Sequence, residues 1–245
     1  FERIRVQTES ELGMPLELAY ASFEQVPIAA ASLGQAHRAR LSPAIAADLG
    51  FEDVVVKVQR PGIEEIVAEA RRCAEAAGTR LVAAGRPGEF RFSGGRGCAP
   101  GSSGVLELVR RHGLAGTDSH TKHVPAAVYE LPKEQLAVFL NRLFATDGWA
   151  SVAQSGAAQI GFASVSEELA RPVQHLLLRF GVVAALRRKR VQYLGTERWC
   201  WQVVITHRDS LRAFARDIGI LAKDTAVAAV VRAADSRRTE HPGDD

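Results

Sequence analysis

Between residues 132 and 145 the apolar positions fall three and four apart. Leu136, Phe139, Leu140, Leu143 and Phe144 form one stripe, which predicts a helix. Two further runs, 149–154 and 159–165, flank Ser155-Gly156 and predict a hairpin. Ser166 is a favourable N-cap with Glu168 close behind, opening a helix predicted through Phe180. Pro172 falls inside that helix as a cost, and Gly181 is placed to end it. A second hairpin is predicted from 182–193 and 199–206, and a closing helix over 210–218 with Gly219 behind it. The order is α-ββ-α-ββ-α, with a short helix at 105–112 ahead of it.

The first 72 residues are patterned differently. Apolar residues from 9 to 23 sit at roughly helical spacing, and 27–40 is rich in small residues. Val54-Val55-Val56-Lys57-Val58 is a β-branched run between Asp53 and Pro61-Gly62, a strand signal. A helix is predicted over 63–72, just after Pro61. Residues 77–104 are dominated by Gly, Ala, Pro and Ser and read as a linker without a core of its own. The polar segment 236–245 reads as a disordered tail. The boundaries expected are therefore 1–72, 73–104, 105–235 and 236–245.

The chain is 47% hydrophobic and 24% charged over 245 residues, which excludes bulk disorder and fibrous classes. No run approaches the ~18 apolar residues of a membrane span. The start, FERIRVQTES, has no apolar signal-peptide region, and three cysteines do not make a disulfide scaffold. A cytoplasmic setting is the expectation. The net charge of +3 matters less than its distribution: residues 171–216 carry +8. Arg187, Arg188, Lys189 and Arg190 are consecutive in a predicted strand, so two point to each face, and Arg198 lies on the next strand. An Arg-bearing antiparallel ribbon fits the major groove of duplex DNA; a solvated charged face is the alternative from charge alone.

The stretch FLNRLFATDGWA at 139–150 ends an apolar helix on Asp147 and Gly148. Read alone, Asp-Gly after a helix is a turn. The stretch resembles the second LAGLIDADG motif of intein-borne (DOD-type) homing endonucleases, notably those interrupting replicative helicase genes. The flanks agree: 119–125 (SHTKHVP) resembles the family block that contributes a lysine, and 173–181 (VQHLLLRFG) the downstream helix block. The resemblance covers about 105–225. It implies an α+β fold, the LAGLIDADG half-fold α-ββ-α-ββ-α, preceded here by a partial kinase-like N-lobe. It further implies Asp147 as a catalytic, Mg²⁺-binding carboxylate, Gly148 as the residue permitting close helix packing, and Lys122 as the family's basic residue. It makes Arg187, Arg188, Lys189, Arg190 and Arg198 candidates for contacting double-stranded DNA. Only one motif is present; Gly113–Asp118 lacks the preceding apolar helix. A lone half would act as a homodimer.

Residues 73–82 (CAEAAGTRLV) resemble the opening block of an intein, in which a leading cysteine, here Cys73, is the nucleophile of an N–S acyl shift. The internal Thr-x-x-His block and a terminal His-Asn are absent, so full splicing is not expected. Residues 23–40 and 54–62 resemble UbiB-type atypical kinases, linked to ubiquinone biosynthesis. That likeness implies a nucleotide loop containing Ala30, Ser32, Gly34 and Gln35, with Lys57 in place of the kinase strand lysine; the cofactor would be ATP. No catalytic loop or metal-binding Asp-Phe-Gly is found after Arg72. The expectation is an endonuclease remnant behind an interrupted kinase-like fragment. An inactive nucleotide-binding fragment is the alternative.

Overall fold

The computed structural model describes residues 1–30, 34–59, 62–85, 89–94, 103–193 and 196–236. It divides into two compact units, Phe1–Ala68 and Glu69–Asp245. The expected tail lies outside the described residues from 237 onward. Among the described residues, no helix is long and apolar enough to cross a membrane.

The first unit opens with α1 (Glu2–Leu12) and α2 (Leu16–Ala19), then β1 (Tyr20–Phe23), β2 (Ala29–Ala30), β3 (Gly34–Leu41), α3 (Pro43–Leu49) and β4 (Asp53–Gln59). Strand β3 is the hub of an antiparallel sheet, pairing with β4 along its length and with β1 and β2 on the other side. The β-branched run alternates as expected: Val58 is buried while Val55 and Lys57 are exposed. The helical reading of 9–23 is corrected. Gly13 ends α1 in the left-handed region at φ 70°, Pro15 starts a short second helix, and the chain is extended from Tyr20. Gly and Pro override the apolar spacing there.

Helix α4 (Ile63–Ala76) straddles the division and runs four residues beyond its predicted end. The linker reading of 77–104 is also corrected. Thr79–Ala83 (β5) and Phe90–Gly94 (β6) pair as an antiparallel hairpin, with Leu81 opposite Phe92. Short alternating segments were hidden there by the Gly and Pro around them.

The rest of the second unit keeps the predicted order and adds two helices that were not predicted, at 126–129 and 224–236. After α5 (Gly104–Arg111) and α6 (Ala126–Tyr129) come α7 (Lys133–Asp147), β7 (Gly148–Val152), β8 (Ala158–Ser164) and α8 (Glu167–Leu177). A 3₁₀ turn, Leu178–Phe180, leads to Gly181 at φ 70°, as the stop signal required. Then β9 (Ala185–Tyr193), β10 (Thr196–Ile205), α9 (Arg208–Asp217) and α10 (Asp224–Ser236) complete the unit. Pro172 sits inside α8 without ending it. The sheet order is β7-β8-β10-β9, antiparallel throughout.

One face of this sheet carries Ile160, Phe162, Val203 and Ile205, all fully buried. Phe144 of α7 packs on it, with ring centroids 5.5 Å from Phe162 and 4.9 Å from Phe214 of α9. Phe144 thus locks the helix that ends at Asp147 onto the sheet. Phe144→Ala is expected to destabilise the second unit by about 3–5 kcal/mol, since a fully buried ring leaves a cavity when truncated. Urea unfolding monitored by Trp fluorescence measures it.

Candidate nucleic-acid interface

Helix α7 ends where it does for two local reasons. The Gly148 N–H bonds to the Phe144 carbonyl, closing the last turn, and Gly148 then enters β7 in extended conformation. A Cβ on Gly148 would lie 2.6 Å from the Phe144 carbonyl oxygen and 2.9 Å from its ring. Only glycine fits this close approach, so Gly148 serves its own helix–strand junction. Asp147 is thereby presented at the helix end with its side chain 42% exposed.

Lys122 reaches this point from a distant loop. Its Nζ is 3.5 Å from Asp147 Oδ2, so the chain brings these two candidates together. The loop is held at both ends. Ser166 Oγ donates to the Lys122 carbonyl at 2.6 Å while accepting from the Leu169 N–H, capping α8 and anchoring the lysine together. On the other side, Asp118 accepts from the His120 and Thr121 N–H groups and the Thr121 hydroxyl. Those donors favour the ionised form and hold the Asp118 carboxyl below its ordinary range. Because the folded value is depressed, the loop gains support above the ordinary carboxylate range and loses it as pH falls through the lowered value. The His120 and Thr121 amide proton shifts are expected to titrate together, with a midpoint below the ordinary carboxylate range. An NMR pH titration measures this, and Asp118→Ala should remove the transition.

The five basic candidates are sorted by strand register. Arg188 pairs with Trp201, and Trp201 with Ser164, on the face that carries Phe162. Arg188 stacks 4.3 Å from the Trp199 ring centroid and 5.7 Å from Trp201. Arg190 lies 4.8 Å from Trp199 and is ion-paired with Glu197 at 3.1 Å. Arg171 of α8 reaches Trp201 from the helix side, at 5.9 Å. The opposite face carries Arg187, Lys189 and Arg198, all exposed, opposite Gln202, Cys200 and Val191. The equal division of the four consecutive basics is therefore observed. Arg188 and Arg190 stack on tryptophans, whereas Arg187, Lys189 and Arg198 share the face away from the helices.

Sequence reasoning missed two residues at this site. Asn141 Nδ2 donates to the Ile218 carbonyl, and its Oδ1 accepts from the Leu221 N–H, tying α7 to the segment after α9. Lys223 Nζ donates to the carbonyls of Phe144 and Gly148. Asn141 was the signal available, as a polar residue within the apolar stripe. Lys223 had none.

The remaining candidates lie elsewhere. Cys73 is exposed within α4, three residues before the end of that continuous helix. In the first unit, Gly34 and Gln35 of β3 stand opposite Gln59 and Val58 of β4, and Lys57 stands opposite Ala36. A Cβ on Gly34 would meet the Val58 carbonyl oxygen at 2.8 Å. Gln35 Oε1 is 3.2 Å from Nε2 of the buried His37. Ala30 pairs with Gln35 through β2, and Ser32 lies outside the described residues.

Comparison with known proteins gives two separate matched segments. Residues 134–219 match the LAGLIDADG-like domain, and residues 1–77 match the ABC1 atypical kinase-like domain. The chain is therefore a mixed α+β protein with both kinds of domain. It is 30% identical over 179 residues to Protein RecA of Mycobacterium tuberculosis, covering 66% of this chain and 21% of that protein. It is 37% identical over 122 residues to the replicative DNA helicase DnaB of Synechocystis, covering 49% of this chain and 14% of that protein. It is 49% identical over 65 residues to the chloroplastic protein ACTIVITY OF BC1 COMPLEX KINASE 7 of Arabidopsis thaliana, covering 26% of this chain and 8% of that protein. The chain spans about a fifth or less of the length of these relatives.

Proposed function

We propose that residues 105–235 are an intein-derived LAGLIDADG homing-endonuclease remnant of the DOD type. It binds double-stranded DNA and, as a homodimer, hydrolyses phosphodiester bonds at an intein-less host allele. The observation that carries the reading is the pairing of Asp147, at the end of α7, with Lys122 across 3.5 Å. The second support is the β9–β10 ribbon, with Arg187, Lys189 and Arg198 on the face away from the helices. A carboxylate and an ammonium at one helix end suit phosphodiester hydrolysis, with the ammonium offsetting charge on the phosphate. The exposed basic face suits the sequence-independent, phosphate-directed part of DNA affinity.

The intein reading draws on the pattern of relatives. A protein RecA and a replicative helicase each match this chain over only about a fifth or less of their length. An inserted element shared by otherwise different proteins leaves that pattern. The match to Protein RecA takes in 66% of this chain and so extends well past residues 134–219. On this reading the insert begins at Cys73, and the intein-less junction joins the Arg72 codon directly to the host codon on the far side of the insert.

For Mg²⁺, the chain supplies one carboxylate at this site. Among the described residues no group of three or more His, Cys, Asp and Glu could hold a metal ion. One copy alone therefore does not make a magnesium site; the other ligands would be the second copy's Asp147 and the DNA phosphates. Incubating the protein with a plasmid bearing the intein-less junction, with and without Mg²⁺, tests the proposal. Site-specific linear product is expected; intact plasmid at concentrations where DNA is bound would reduce the reading to a DNA-binding remnant.

A second reading concerns the first unit alone. Lys57 on β4 stands opposite Ala36, the residue after Gly34 and Gln35 on β3, and this placement favours a nucleotide-binding kinase-like fragment. ATP binding that disappears in Lys57→Ala would support it.

A further inference from the structure

Strands β9 and β10 are not paired on both sides along their whole length. Strand β8 pairs with β10 from Trp201 to Ile205, whereas β9 pairs with it from Thr196 to Val204. Among the described residues, Thr196–Cys200 therefore have β9 as their single partner strand. Lys189 and Arg198 fall in this overhang, opposite Cys200 and Val191, while Arg187 lies further in, opposite Gln202. A two-stranded ribbon is marginally stable by itself in water. Two of the three cations on the face away from the helices thus stand on a segment that needs support.

The helix-side face of the overhang carries a ladder. Arg171 of α8 lies 5.9 Å from the Trp201 ring centroid, and Arg188 lies 5.7 Å from it. Arg188 is also 4.3 Å from Trp199, and Arg190 is 4.8 Å from the same ring. Cations and rings alternate from the helix out along the ribbon, in the order Arg171, Trp201, Arg188, Trp199, Arg190. Each contact is attractive because the ring face is negative. The two end cations are ion-paired as well, Arg171 with Glu167 one turn earlier in α8 and Arg190 with Glu197 on β10. Trp199 is 43% exposed, so its ring is held by two guanidinium groups rather than by burial.

We propose that this ladder positions Lys189 and Arg198 for the duplex. It fastens the overhang to α8 and keeps its two strands ordered before DNA arrives, so that binding does not have to order them. Trp199, gripped from both sides, is the central positioning residue; it acts through the ribbon and touches no phosphate. The proposal rests on the reading that the face away from the helices binds DNA.

The test compares wild type, Trp199→Leu and Trp199→Phe in the full chain. Leucine keeps an apolar side chain and loses the ring; phenylalanine keeps a ring face for the two arginines. Hydrogen exchange is read by mass spectrometry without DNA, and duplex affinity is read over a salt series. In Trp199→Leu, segments 187–193 and 196–200 should exchange at least about tenfold faster while 158–164 stays unchanged, a local opening of the ribbon. Affinity should fall about threefold to tenfold, with the log–log salt slope within about 0.4 of wild type, because the same cations still meet the phosphates. Trp199→Phe should keep exchange and affinity within about twofold of wild type. Unchanged exchange or unchanged affinity in Trp199→Leu would overturn the proposal. A larger fall in slope would do the same, since Arg188 and Arg190 would then be phosphate contacts themselves. So would exchange rising equally in 158–164, or a loss in Trp199→Phe equal to that in Trp199→Leu. A wild type that binds no duplex sinks the DNA reading and the positioning role together, while exchange still decides whether the ladder orders the ribbon.

Discussion

Asp147→Asn is expected to lower Mg²⁺-dependent cutting of the junction plasmid by at least about 10²-fold while leaving duplex affinity within about twofold. The substitution keeps shape and removes charge. Asp147 is half-exposed at a helix end, and its side-chain partner is Lys122 at 3.5 Å. Loss of an exposed pair of this kind costs little stability, about 0–1 kcal/mol, so the fold survives. What disappears is the carboxylate that two paired copies would direct at the scissile phosphate. Single-turnover nicking and linearisation on gels, with anisotropy of a labelled duplex in parallel, separate chemistry from binding. If Asp147→Asn cuts as fast as wild type, the assignment of the carboxylate is wrong.

Removing Arg187, Lys189 and Arg198 together, each to Ala, should flatten the salt dependence of DNA binding. Each lost phosphate contact reduces the slope of log affinity against log salt by about 0.9, so three lose up to about 2.7. At low salt the expected loss of affinity is on the order of a hundredfold. The control is the double substitution Arg188→Ala with Arg190→Ala. Those side chains lie on the other face, stacked on Trp199 and Trp201, so their loss should change the slope by less than about one. Its cost falls instead on the hairpin, at about 0.5–1 kcal/mol for each exposed cation–aromatic contact. Equal slopes for the two variants would mean that strand register does not decide which basic residues meet DNA.

Most of the second unit was legible in the sequence because its elements are bounded by explicit chemistry. Ser166 caps α8, Gly181 stops the turn after it, and of the apolar stripe Leu136, Leu140 and Phe144 are buried while Phe139 and Leu143 are half-buried. Only the strand register could separate Arg187 and Lys189 from Arg188 and Arg190, and the alternation of side chains along a strand fixes that division once the core face is known. The β5–β6 hairpin was hidden by composition, because the Gly and Pro residues around it outweighed two short alternating segments. Helix α10 was not foreseen, since its Ala-rich sequence carries few large apolar residues. Lys122 was placed beside Asp147 by resemblance, and its approach depends on Ser166, 44 residues away in sequence. The approach of Lys223 to the end of α7 depends on a turn at Ala222 that no residue type announces; a left-handed alanine is imposed by tertiary contacts, not by propensity.

The central claim is that the second unit recognises duplex DNA through one face of its sheet. Its most direct test is a salt titration of binding by the full chain to a labelled duplex carrying the intein-less junction, beside a scrambled duplex of the same composition. The account predicts tighter binding to the junction and a log–log salt slope of about −3 or steeper. Equal, salt-insensitive or undetectable binding by folded protein would contradict it.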